Sequence, residues 1–132
     1  MPHLNRHNLA AVFLGGVVGT LLRVWLGQRF EVAPAAWPWA IFAINVSGSF
    51  MLASLATHLQ GDPPRPDYLR PLLGVGFCGA YTTFSTMQIE ILHMLDHRSY
   101  GLAAGYAVAS VAAGYLAVML GTALVRRRQV RA

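Results

Sequence analysis

Apolar windows at about 9–26, 37–59, 69–95 and 102–125 fill almost all of a 132-residue chain. A helix needs roughly 20 mostly apolar residues to cross a bilayer, whereas a barrel strand needs only about 9–11. Within hydrocarbon every backbone N–H and C=O must be satisfied inside the protein, so spanning segments are either helices or parts of a closed barrel. Windows of this length select helices. The sequence therefore predicts an all-α membrane protein with four transmembrane helices, a single transmembrane domain over residues 1–132 and no soluble domain besides. Composition agrees, with 55% hydrophobic and 11% charged residues against roughly 25% charged in soluble domains. The first window is too long for the apolar region of a signal peptide and carries Arg23, so it is expected to stay in the mature protein.

Turn-forming residues separate the windows at 31–38, 61–67 and 96–99. Trp37, Trp39 and Tyr100 stand at window starts, as interfacial aromatic anchors do. All ten basic residues are arginine and the net charge is +5. Four crossings place Arg6, Arg65, Arg70, Arg126, Arg127, Arg128 and Arg131 on one side, and Arg29 and Arg98, with Arg23 nearby, on the other. The bias of arginine toward the cytoplasm puts both termini there, in a multi-pass protein of the cytoplasmic membrane. Dispersed arginines in so apolar a chain are not a nucleic-acid interface.

The run 74–90, GVGFCGAYTTFSTMQIE, places glycines, hydroxyls, an amide and a carboxylate within the third window. Polar or irregular backbone at membrane depth is tolerated only where it is buried in protein or lines a wet cavity. Gly74, Gly76 and Gly79 followed by Thr82 and Thr83 disfavour a continuous helix, so a break is expected at about 79–82. A break frees carbonyls on one side and amides on the other, an arrangement suited to a cation at one end and an anion at the other. In the second window Asn45, Gly48 and Ser49 share a helical face, and in the fourth Tyr106, Ser110 and Gly114 form a polar track. Each set serves equally as interhelical hydrogen bonding or as the lining of a wet groove.

Small residues recur as Gly15-x-x-x-Gly19, Ser49-x-x-x-Ala53 and Gly101-x-x-x-Gly105, spacings that allow close helix approach within one subunit or between two. Four short helices enclose little space, so a transport pathway calls for an oligomer, most simply a homodimer. Nothing points to an enzyme. There is no P-loop pattern, Ser85 has no recognisable His and Asp partners, and His93 and His97 beside Asp96 read as interfacial residues rather than a metal site. Cys78, the one cysteine, reads as a small packing residue.

Taken in order, Gly16-x-x-Gly19-x-x-x-Arg23, Asn45-x-x-Gly48-x-Phe50 and the string 76–86, GFCGAYTTFST, resemble the Fluc (CrcB) fluoride channels, over essentially the whole chain. The resemblance implies a dual-topology, antiparallel homodimer with two fluoride pores and a structural sodium ion at its centre. It assigns Asn45, Phe84, Tyr106 and Ser110 to the pore, Glu90 to its neighbourhood and Arg23 to the vestibule. The sodium ligands would be the backbone carbonyls of Gly79 and Thr82, two from each subunit. Met87 stands where the family commonly has a second pore phenylalanine, and Gly114 where a further track serine is expected. No organic cofactor is implied.

These assignments are physically intelligible. Fluoride holds its water strongly, so a selective path must replace that water with donors such as Asn45, Thr83, Thr86 and Ser110, and the positive edge of the Phe84 ring can face an anion. Passive export would let the membrane potential expel fluoride and lower its toxicity. Two other classes use similar chains: proton-coupled small multidrug transporters, which want a midplane carboxylate that the first two windows lack, and noncatalytic membrane assembly subunits. The arginine bias also fits a chain of fixed orientation that works in a heterodimer.

Overall fold

The computed structural model describes residues 5–61 and 63–132; residues 1–4, and Asp62 of the turn run 61–67, lie outside them. All regular structure among the described residues is helical: α1 (Arg6–Arg29), α2 (Trp39–His58), a π-helical segment (Arg70–Cys78), α3 (Gly79–Tyr81), α4 (Phe84–Asp96) and α5 (Tyr100–Arg131). Three of these, α1, α2 and α5, are long and apolar enough to cross a membrane. The third window, 69–95, is divided among the π-helical segment, α3 and α4. Asn5 caps α1, its side chain accepting the His7 N–H at 3.3 Å. At 32 residues, α5 is about 48 Å long against a hydrocarbon core of about 30 Å, so it continues past window 102–125 into its arginine-rich end.

Glycines decide which helices meet. A Cβ built on Gly76 would lie 2.6 Å from the Val12 carbonyl oxygen and 3.1 Å from the Gly15 Cα, and one on Gly15 would strike the Leu72 carbonyl. The backbones of α1 and the π-helical segment are therefore in direct contact, the close approach that small residues allow in membranes. The second pairing joins α2 to α5. Gly121 abuts the Phe50 carbonyl and Ser54, Gly114 faces Ser49, and Gln129 Nε2 donates to the Thr57 carbonyl at 3.4 Å. Partner numbers rise together in both pairs, so α1 runs parallel to the π-helical segment and α2 parallel to α5. The chain thus alternates direction, which puts Arg6, Arg65, Arg70 and the arginines of 126–131 at one end of the bundle. A Cβ built on Gly101 or Gly105 would meet nothing within 4 Å among the described residues, so neither glycine is held against another helix of the chain there.

Two apolar clusters lie between these pairs. Ile41, Ile44 and Tyr81 form one, with Leu22, Leu26 and Phe77 around them. Met94, Ala103 and Tyr106 form the other, with Trp37, Phe42 and Ile91. Met87 packs against both. The turn 96–99 closes α4 with Arg98 in the left-handed region at φ 57, while the Ser99 N–H reaches the Met94 carbonyl at 2.8 Å and the Arg98 N–H reaches Leu95 at 2.9 Å. Large apolar side chains such as Phe13, Leu21, Val108, Val111 and Leu116 are exposed, as hydrocarbon contact requires.

Candidate functional site

Between α3 and α4 the chain leaves the helical conformation for two residues, Thr82 at φ −77, ψ 151 and Thr83 at φ −147, ψ 119. Side chains from elsewhere take over the hydrogen bonds that the helix gives up. Asn45 on α2 meets Thr83 twice, its Oδ1 accepting the Thr83 N–H at 2.8 Å and its Nδ2 donating to the Thr83 carbonyl at 3.0 Å. The Thr83 hydroxyl caps α4 by accepting the Thr86 N–H at 3.2 Å, and it donates to the Thr86 hydroxyl at 3.1 Å. Thr82 folds back on Cys78, whose carbonyl accepts both its N–H and its hydroxyl at 3.0 Å. Gly48 makes room for this turn, because a Cβ there would strike the Thr82 methyl group. Tyr81 anchors the other edge, with its hydroxyl 3.1 Å from Ser47 Oγ and its ring stacked on Phe77 at 5.5 Å.

The carbonyl side of the interruption is treated differently. Ala80 O accepts from Arg23 Nε on α1 at 3.0 Å. The carbonyls of Gly79 and Thr82 receive no hydrogen bond among the described residues. Unpaired neutral oxygens of this kind are what a hard cation accepts as ligands, so the pair expected to bind sodium is chemically fit for it. No group of three or more His, Cys, Asp or Glu side chains among the described residues offers a competing metal site.

Further along α4, Tyr106 of α5 donates its hydroxyl to Glu90 Oε2 at 2.7 Å. Tyr106 is fully buried and meets the Trp37 ring edge-on at 5.4 Å. One turn on, the Ser110 hydroxyl is buried, with no hydrogen-bond partner of good geometry among the described residues. A cavity of about 580 Å³ opens beside these residues, with Arg23, Gln28, Glu31, Thr86, Glu90 and His93 among its walls.

The structure thus links Asn45, Thr83 and Thr86 in one hydrogen-bonded row, pairs Glu90 with Tyr106, and puts Arg23, Thr86 and Glu90 on a common cavity. It leaves two expected site residues apart from these. Phe84 is 70% exposed on the surface of the single chain, and Met87 sits between the apolar clusters. The Arg23 bond to Ala80, the Ser47 contact with Tyr81 and the unpaired Trp37 indole N–H have no signature in sequence, since each depends on which helices become neighbours.

The profile of the family described as "CrcB-like protein, Camphor Resistance (CrcB)" matches residues 10–122. The chain belongs to the CrcB family. That match takes in the whole site, from Arg23 to Ser110. Among similar CrcB proteins, "Fluoride-specific ion channel FluC 1" of Mycolicibacterium paratuberculosis is 54% identical over 99% of both chains. The protein of the same name in Mycobacterium tuberculosis is 48% identical over 99% of both. "Fluoride-specific ion channel FluC 3" of Streptomyces avermitilis is 41% identical over 97% of this chain and 63% of its own length.

Proposed function

We propose that this CrcB protein is a fluoride-selective channel that passively exports the ion across the cytoplasmic membrane and so relieves its toxicity. The observation that carries the reading is the row of donors at the interrupted helix. Asn45 uses one N–H on Thr83, and its NH₂ group has a second to offer. The hydroxyls of Thr86 and Ser110 extend the series, the Thr83 hydroxyl orienting Thr86 by donating to it, with the Tyr106–Glu90 pair alongside. The full-length relatives named as fluoride-specific channels give the row its substrate. Fixed donors replace the water of a small anion without reorganising, while larger halides fit the same narrow path poorly. Arg23 at the cavity wall raises the anion concentration at the mouth.

One chain leaves this path open on the side where Phe84 is exposed. A second, antiparallel copy closes it, with the edge of the Phe84 ring toward the ion, and generates two pores by symmetry. Met87, packed between the two apolar clusters, forms the wall and not a second ring. The free carbonyls of Gly79 and Thr82 from both copies would hold a structural sodium ion, which would fix the two interrupted helices to each other. The concentration of arginine at one end of the bundle supports a second arrangement, in which this chain keeps one orientation and pairs with a different subunit.

A bacterium without its own fluoride exporter provides the test. Expression of the wild-type chain should restore growth in millimolar fluoride, and Phe84→Ile should lose most of that rescue at equal membrane abundance, because Phe84 holds no part of the monomer core together. Equal rescue by both would remove Phe84 from the pathway. No rescue by the wild type would favour a missing partner or an assembly-subunit role.

A further inference from the structure

The Asn45 donor is only as well placed as the two extended residues it meets, and local bonds hold these incompletely: the Thr83 hydroxyl caps Thr86, but the Thr83 N–H and carbonyl bond only to Asn45 among the described residues. The Thr82 hydroxyl and N–H are both spent on Cys78. Ala80 has lost the amide that would have bonded to its carbonyl one turn later, because the residue in that place, Phe84, opens a new helix. Among the described residues two side chains replace the missing bonds, and they come from different helices on opposite sides of the interruption. Arg23 of α1 takes the Ala80 carbonyl and Asn45 of α2 takes both backbone groups of Thr83. The Arg23 bond spans 57 positions of sequence and is partly buried. A guanidinium is well suited there, since it stays charged in a low-dielectric setting and favourably meets the partial negative charge at a helix C-terminus.

We infer that Arg23 is a positioning residue, the carbonyl-side half of a two-point clamp whose amide-side half is Asn45, and that it sets the direction of the Asn45 donor through the turn Tyr81–Thr83. This goes beyond a cation at the cavity mouth, although it rests on the fluoride reading for its functional consequence. The two roles separate experimentally. A cation acting only through its field is replaceable by lysine and is screened by salt over about 10 Å at 0.1 M. A hydrogen-bonded clamp is indifferent to salt, and lysine, a point donor without the planar fork, replaces it incompletely.

The test uses the full-length protein in lipid nanodiscs and in liposomes, as wild type, Arg23→Lys and Arg23→Met. Hydrogen exchange at the amides of 82–86 should quicken on the order of 10-fold in Arg23→Met, as loss of a charge-assisted hydrogen bond implies, and by a smaller factor in Arg23→Lys. Fluoride efflux should fall in the same order, by the same factor in 20 mM and in 500 mM background salt. If Arg23→Met does not fold, Arg23→Lys alone decides the point. Exchange at 82–86 equal to wild type in a folded variant, or a flux loss confined to low salt and absent in Arg23→Lys, overturns the inference. A wild type without fluoride flux would sink the channel reading, while the exchange measurement would still judge the clamp.

Discussion

Asn45→Leu is expected to abolish fluoride efflux and to lower unfolding stability by about 2–6 kcal/mol, the sum for two backbone groups left buried without partners. Leucine fills similar space but leaves both the N–H and the carbonyl of Thr83 unpaired at the centre of the bundle. Water cannot repair this cheaply at membrane depth. Asn45→Asp separates the two effects. Its carboxylate can still accept the Thr83 N–H, so much of the fold should survive, but it has no N–H to offer an anion and adds a repelling charge. Denaturant unfolding of the detergent-solubilised protein, beside electrode-monitored efflux, reads both. If Asn45→Leu unfolds at the wild-type denaturant concentration, the Thr83 bonds do not hold the turn.

The second large effect is expected at Gly76. Gly76→Val should yield little or no folded protein, because its Cβ would lie 2.6 Å from the Val12 carbonyl oxygen and its methyl groups have nowhere to go. The three nearest atoms, from Val12, Gly15 and Gly16, are all backbone, so no side chain can swing away, and overpacking of this kind costs upwards of about 1–3 kcal/mol even where neighbours do adjust. Gly101→Ala is the control. A Cβ added at Gly101 would meet nothing within 4 Å among the described residues, and alanine is favoured over glycine in a helix by about 1 kcal/mol, so this variant should behave as wild type or better. Monodisperse yield on fluorescence-detected size exclusion distinguishes them, and a normal Gly76→Val peak would contradict the close α1 contact.

Gly76 also shows what the sequence conceals. Its density of glycine with Gly74 and Gly79 suggests a chain prone to break, yet none of these glycines has positive φ, and Gly79 is helical at φ −63, ψ −34. Gly76 serves closeness to α1 and Gly74 faces Leu52 and Leu55 of α2, and a small residue that fits against a neighbour looks in sequence the same as one that loosens a helix. The extended residues are Thr82 and Thr83, chosen by where Asn45 and Arg23 reach. Spacing alone can place Asn45 on a helix face but cannot name a partner 38 positions away.

Three of the four apolar windows hold helices long and apolar enough to cross a membrane, legible because hydrocarbon imposes a length and an apolar composition that few other demands imitate. Helix ends were less so. The arginines of 126–131 terminate an apolar window, but they do not terminate a helix, since arginine is a good helix former and water solvates its side chain. The polar residues of the site stood out in an apolar background, and the string at 76–86 pointed to the family. Whether a given polar group faces an ion or another helix is decided by packing. Phe84 and Met87 lie three positions apart, near one helix face, yet one is largely exposed and the other packs between two clusters.

The most direct measurement reconstitutes the purified protein into liposomes loaded with potassium fluoride or potassium chloride and follows efflux with ion electrodes after valinomycin. A fluoride channel should empty its vesicles of fluoride within seconds to minutes and retain chloride. Retention of fluoride by well-folded protein, or equal loss of both halides, would contradict the account.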